Sequence, residues 1–173
     1  MHSPFVILTG ASGVGKTTIA EAIEKLDPEI AVYQGDKVGL PPAEILASFG
    51  PATGPGGTSQ RGFALYWIGE ISKLSHQRPV LLETQCRISF LEEALSLHQI
   101  SWARIVLVEC DDSIRNARLI HDRRQLELAN EDMANWSRYL HQEAVQAGYE
   151  ILDTGSVSLT EAVARIYSYL KKI

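Results

Sequence analysis

Apolar positions along this chain follow two alternating patterns. Short runs that are apolar almost throughout stand at 5–9, about 30–34, 79–83 and 104–109, with a weaker one at 149–152. Val80-Leu81-Leu82 and Ile105-Val106-Leu107-Val108 are apolar on both faces, as parallel strands covered by helices above and below must be. Between the runs, apolar residues recur at helical spacing: Ile19, Ala22, Ile23, Leu26; Phe63, Trp67, Ile71, Leu74; Met133, Trp136, Leu140, Ala144; Leu159, Val163, Ile166, Leu170. Asp112 or Ser113 is placed to cap one helix, Ser158 to cap the last, and a further helix begins near Ala129. Strand–helix alternation of this kind predicts an α/β three-layer sandwich with about five parallel strands. Ligands of such a sheet gather at the carboxyl ends of its strands.

Pro51-Ala52-Thr53-Gly54-Pro55-Gly56-Gly57-Thr58 is too rich in Gly and Pro for a helix or central strand. We read it as a mobile loop, within a substrate-side segment of about 36–67. No internal repeat is evident. At 173 residues, 45% hydrophobic and 21% charged, the chain reads as a single domain, 1–173, large enough for a core.

The first apolar run leads directly into Gly10-Ala11-Ser12-Gly13-Val14-Gly15-Lys16-Thr17, and a helical pattern follows at once. Gly, four residues, Gly-Lys-Thr between a strand and a helix is the P-loop pattern. Its backbone N–H groups and the helix dipole cradle phosphates, Lys16 reaches the β- and γ-phosphates, and the Thr17 hydroxyl ligands Mg²⁺. Thr18 continues the same cradle.

Four other places follow strand ends. Asp36, after the run ending at Tyr33, is positioned to take a proton from a substrate hydroxyl. Glu83 closes the 79–83 run as a Walker B acid closes its strand, holding Mg²⁺ through water or orienting the nucleophile. Arg87 is a candidate clamp for a substrate phosphate or carboxylate. Arg115, Arg118, His121, Arg123 and Arg124 fall within ten positions, a density suited to neutralising a transferring phosphoryl group. Arg61 and Tyr66, past the Gly/Pro loop, are candidates for lining a substrate pocket.

The net charge is −5, which disfavours a nonspecific nucleic-acid binder. Cys86 and Cys110 have no zinc or disulfide spacing and read as small buried residues. No apolar run approaches the length of a membrane span or signal peptide, so the expected location is the cytoplasm.

With the P-loop, Asp36, Glu83 and the arginine segment in this order, the chain resembles the small P-loop kinases. These include nucleoside monophosphate kinases, shikimate kinase, gluconate kinase and antibiotic phosphotransferases. Gly35-Asp36 is similar to the Gly-Asp after the second strand of gluconate kinase. Glu83-Thr84-Gln85-Cys86-Arg87 is similar in layout to Asp-Gly-Phe-Pro-Arg of adenylate kinases, with Thr84 and Cys86 in place of Gly and Pro. The resemblance implies a sheet in the order 2-3-1-4-5. It also implies a LID at about 115–127 carrying γ-phosphate arginines (Arg118, Arg123, Arg124), and nucleotide contacts from Arg115. Ile151-Leu152-Asp153-Thr154 resembles the last strand and the loop bordering the adenine, which makes Asp153 a nucleotide contact. The expected activity is an ATP- and Mg²⁺-dependent transfer of the γ-phosphate to a hydroxyl or phosphate on a small molecule. A nucleotide switch or GTPase-like protein is a second possibility, although no Asn-Lys-x-Asp tetrad is present. A polynucleotide 5′-kinase is a third.

Overall fold

A computed structural model describes residues 2–171. Five strands form one parallel sheet: β1 (Phe5–Thr9), β2 (Ala31–Gln34), β3 (Val80–Glu83), β4 (Ala103–Glu109) and β5 (Glu150–Asp153). Their order is β2-β3-β1-β4-β5, with parallel pairing throughout. The expected fold class and strand order are those observed.

Successive side chains of a strand point to opposite faces, so each strand feeds two cores. Phe5, Ile7, Val80, Leu82, Ile105 and Leu107 face one layer. Helices α4 (Gly57–Ser72), α5 (Ile88–Leu97) and α7 (Glu131–Ala147) cover it through Phe63, Ile68, Leu91 and Leu140. Val6, Leu8, Leu81, Val106, Val108 and Leu152 face the other. Helices α1 (Lys16–Leu26) and α8 (Leu159–Leu170) cover that face through Ile19, Ile23, Ile166 and Leu170. The central strands are buried on both sides, as their uniform apolarity requires. The edge strands β2 and β5 are only half-buried, and their sequence patterns are correspondingly weaker.

The segment after β2 is more helical than its composition predicts. It holds the short helices α2 (Gly35–Val38) and α3 (Ala43–Ser48), and α4 starts at Gly57, inside the Gly/Pro stretch. Gly56, at φ 83, supplies the left-handed turn into α4. Helix starts elsewhere shift by one or two residues from expectation. Helix α6 (Asp112–Ala117) is preceded by Asp111, and α7 by Asn130, whose side chain accepts from the Met133 N–H. Ser158 caps α8 as expected, in a reciprocal capping box with Glu161. The stripe that α8 buries is Ala162, Ile166 and Leu170, while Leu159 stays exposed.

Candidate active site

The carboxyl ends of β1, β2 and β3 lie level, because Glu83 is in register with Leu8 on one side and Gln34 on the other. The residues that follow these ends therefore meet. They are the loop 10–15, the turn 35–39 and the stretch 84–87.

The loop turns through positive φ at Gly13 (86°) and Gly15 (102°), conformations that L side chains rarely adopt. A Cβ at Gly13 would also stand 2.8 Å from Leu119 Cγ. The first N–H of α1 to reach a backbone acceptor is that of Ile19, which donates to Gly15 O at 3.1 Å. The N–H groups of Lys16, Thr17 and Thr18 are thus the open donors of a helix N-terminus, beside its positive dipole end.

Lys16 is the first residue of α1, yet it is buried. Its ammonium donates to Ala11 O at 3.0 Å and lies 3.6 Å from Glu83 Oε1, a carboxylate equally buried. Burial pushes Lys16 down from its ordinary value, against the attraction of Glu83. Burial likewise pushes Glu83 up, with Lys16 opposing and the nearby Asp36 charge adding to the rise. Each charge is thus incompletely compensated; an arriving phosphate oxyanion offers Lys16 a second counter-charge.

Two cavities open on either side of this pair. One, of about 310 Å³, runs from Lys16, Thr17 and Thr18 past Arg118 and Arg123 to an apolar end at Val157, Leu159 and Ala162. A polar cradle leading to an apolar end suits a nucleotide. The other, of about 380 Å³, has Asp36 and Glu83 in its wall, with Gln60, Phe63 and Gln85 opposite the sheet end. The two walls are tied together. Ser12 Oγ donates to Gln85 Oε1 at 3.2 Å, and Thr9 Oγ1 donates to Cys86 O.

The arginine segment divides its labour. Arg118 donates through Nη1 to Thr154 Oγ1 at 2.9 Å and to Val14 O at 3.2 Å, and through Nη2 to Thr154 O at 3.0 Å. It pins the last loop to the phosphate loop while lining the first cavity. Arg123 lines that cavity as well, at the end of a π turn over Arg118–Asp122. Arg124 is exposed at φ 54 and lies outside the cavity wall. Arg115 differs from the sequence expectation too. It is wholly buried beneath Gly13 and paired with Asp112 at 2.6 Å, so it supports the loop from behind. The π turn explains the split, because it shifts the register between Arg115 and the residues after Arg118.

Three further expectations are relocated. Arg61 is held by Glu93 and by Phe49 O, and Tyr66 packs edge-on against Trp67. Neither lines the second cavity; Gln60 and Phe63, on the same helix, do. One position along a helix is a rotation of about 100°, and the sequence alone did not fix that phase. Arg87 donates to Ser89 Oγ, Thr53 O and Pro55 O and lies over the Phe90 ring, so it ties down the Gly/Pro loop. Asp153 accepts from the Gly155 N–H at 2.8 Å and borders a separate pocket with Glu109, leaving Thr154 at the edge of the first cavity.

Cys86 borders the second cavity, and burial, which disfavours the thiolate, pushes its thiol up to about 12 despite a hydrogen bond from Thr84. Among the described residues, no three His, Cys, Asp or Glu side chains stand together to hold a metal by themselves. Thr17, in the first cavity, and Glu83, in the wall of the second beside Lys16, are the side-chain oxygens available to a Mg²⁺ ion, which keeps waters and is usually completed by substrate phosphates.

No protein-family model matches the sequence, and no curated protein does either. Solved structures do match along nearly the whole chain. A gluconokinase from Sinorhizobium meliloti 1021 is 19% identical with a TM-score of 0.69, over 98% of this chain and 92% of that one. The tunicamycin resistance protein of Deinococcus radiodurans is 16% identical with a TM-score of 0.65, over 99% and 97%. A shikimate kinase from Acinetobacter baumannii in complex with shikimate is 16% identical with a TM-score of 0.60, over 97% and 92%. The likeness is one of fold, and the fold is that of the small P-loop kinases.

Proposed function

We propose that residues 1–173 act as one small-molecule kinase that transfers the γ-phosphate of ATP to a hydroxyl. The observation that carries this reading is the buried Lys16–Glu83 pair standing between two cavities, one beside the phosphate loop and one beside Asp36. A hydrolytic switch has no use for the second cavity, whereas a phosphotransferase needs it for the acceptor. In this reading the triphosphate lies along residues 10–18, with the nucleoside towards Thr154, Val157 and Leu159. The acceptor lies beside Asp36.

Asp36 orients the acceptor hydroxyl and takes its proton. The acceptor oxygen forms a bond to the γ-phosphorus, the bond from that phosphorus to the β–γ bridging oxygen breaks, and ADP departs with the electron pair. Lys16 and the open N–H groups of α1 balance charge on the phosphoryl oxygens, and Arg123, which lines the same cavity, adds to this. Arg118 keeps the Thr154 loop against Val14, which holds the cavity in shape. Thr17 and Glu83 are the residues that would hold Mg²⁺, which supplies electrostatic stabilisation of the phosphates when bound. We assign substrate-side closure to 36–67 and LID closure to 115–127, the two segments that flank the cavities.

The test is a transfer screen with γ-labelled ATP, Mg²⁺ and pooled acceptors: hydroxyl metabolites, nucleotides, antibiotics and a 5′-hydroxyl oligonucleotide. Label on a small molecule, lost in Asp36→Asn and Lys16→Ala, supports the reading. Label only on the oligonucleotide replaces it with a polynucleotide kinase. Nucleotide binding without transfer to any pool replaces it with a sensor.

A further inference from the structure

The cavity beside Asp36 carries two carboxylates, Asp36 and Glu83, and an apolar side made by Phe63 and Leu40. Its remaining reach comes from neutral polar groups, chiefly Gln60 and Ser59. Among the described residues, no Lys, Arg or His lines it. The arginines nearest in sequence are occupied: Arg61 by Glu93 and Phe49 O, Arg87 by Ser89 and the carbonyls of Thr53 and Pro55. Lys16 and Arg123 line the other cavity.

Gln60 has a fixed orientation. Its Oε1 accepts from the Arg87 backbone N–H at 3.2 Å, and a backbone donor cannot face an amide NH₂. The Nε2 end is therefore a hydrogen-bond donor to whatever occupies the site. An anionic acceptor would bring its charge towards Asp36 and towards Glu83, whose own counter-charge is Lys16 at 3.6 Å; no further cation lines the cavity to meet it, and a desolvated charge without a partner is strongly unfavourable. A ring compound with hydroxyls on its edge and an apolar face suits this lining, with hydroxyls against Asp36, Gln60 and Ser59 and the face against Phe63.

We propose that the acceptor is an uncharged polyhydroxylated ring compound, a sugar or nucleoside in chemical class, and that the corresponding acids and phosphate esters are rejected. This rests on the kinase reading above. It sets this chain apart from an enzyme whose ligand is an acid, such as the shikimate of one matched structure.

The test compares neutral compounds with their anionic counterparts as acceptors of label from γ-labelled ATP. The pairs are glucose and glucuronate, ribose and ribose 5-phosphate, adenosine and AMP, uridine and UMP. The expected result is label on a neutral member, with kcat/KM about 100-fold above its acidic partner. Which pair responds separates a sugar from a nucleoside. Leu40→Arg, at a position 59% exposed, adds a cation at the rim and should narrow that ratio by about tenfold. Preferential label on an acid overturns the inference and leaves the kinase reading intact. Label on none of the pairs also overturns it. Only failure of the full acceptor pool removes the kinase reading as well.

Discussion

Lys16 Nζ lies 3.6 Å from Glu83 Oε1, with the two side chains only 4% and 5% exposed. An ion pair so dry contributes little net stability, because desolvation offsets the attraction. Its cost appears when one partner is removed. Glu83→Gln alone should destabilise the fold by about 3–5 kcal/mol, as a buried ammonium loses its counter-charge. Lys16→Met with Glu83→Gln should return close to the parent stability and stay inactive. Urea unfolding of the two single variants and the double variant checks this. Additive losses would show that the two groups do not act as a pair.

Asp36 is exposed and makes no hydrogen bond that the fold requires. Asp36→Asn should therefore leave stability within about 0.5 kcal/mol. It should lower kcat by about 10²- to 10⁴-fold while the KM for ATP stays near its parent value. Steady-state kinetics on the labelled acceptor measures both constants. An unchanged kcat would reduce Asp36 to part of the wall.

Arg118 and Arg123 share a cavity but not a role. Arg118 bonds Val14 O and Thr154, so Arg118→Ala should lower the melting temperature and weaken ATP binding. Arg123 is exposed and lines the phosphate end. Arg123→Ala should leave melting unchanged and lower kcat by about 10³-fold, in line with other arginines that contact a transferring phosphoryl group. Calorimetry with ATP, together with kcat, distinguishes the two patterns.

Arg87 holds the carbonyls of Thr53 and Pro55. Arg87→Ala should free the 51–57 loop, raise the KM for the acceptor and spare the KM for ATP. Faster proteolytic nicking within 51–57 would report the same release.

Glu161 accepts hydrogen bonds from the Ser158 N–H and hydroxyl, and these hold its carboxyl below the ordinary value. A depressed carboxyl stabilises the fold above its unfolded value of about 4.3, and the contribution is lost as pH falls through the folded value. The first turn of α8 should therefore fray on acidification. Glu161→Gln keeps a capping partner and should remove that pH dependence. Amide exchange at Glu161 and Ala162 between pH 6 and pH 3 reads the effect.

The fold, and the placing of part of the candidate site at the strand ends, were legible for a local reason. In β1, the phosphate loop and α1, the strand, the turn and the open helix end are contiguous in sequence. Glu83 and Asp36 were legible because each directly follows or closes an apolar run. The substrate side was not. Arg61 read as a pocket-lining candidate and Arg87 as a clamp for a phosphate or carboxylate, but their partners are remote in sequence: Glu93 lies 32 residues from Arg61, and Thr53 lies 34 from Arg87. Gln60 and Phe63 gave no chemical signal, since one is a neutral amide and the other looks like core. Leu159 read as buried because helical spacing shows a stripe without showing where the stripe ends.

The sequence by itself determined the strand–helix alternation, the phosphate loop with Lys16 and Thr17, and the acids Asp36 and Glu83, because periodicity and a contiguous motif are properties of neighbouring residues. The tertiary structure alone decided which charges remain free. It gave Arg61 to Glu93 and Arg87 to the loop carbonyls, buried Arg115 beneath Gly13, and left Arg123 in the cavity that Lys16 lines. A charge acts according to what lies within a few ångströms of it, and those neighbours come together only when distant parts of the chain pack.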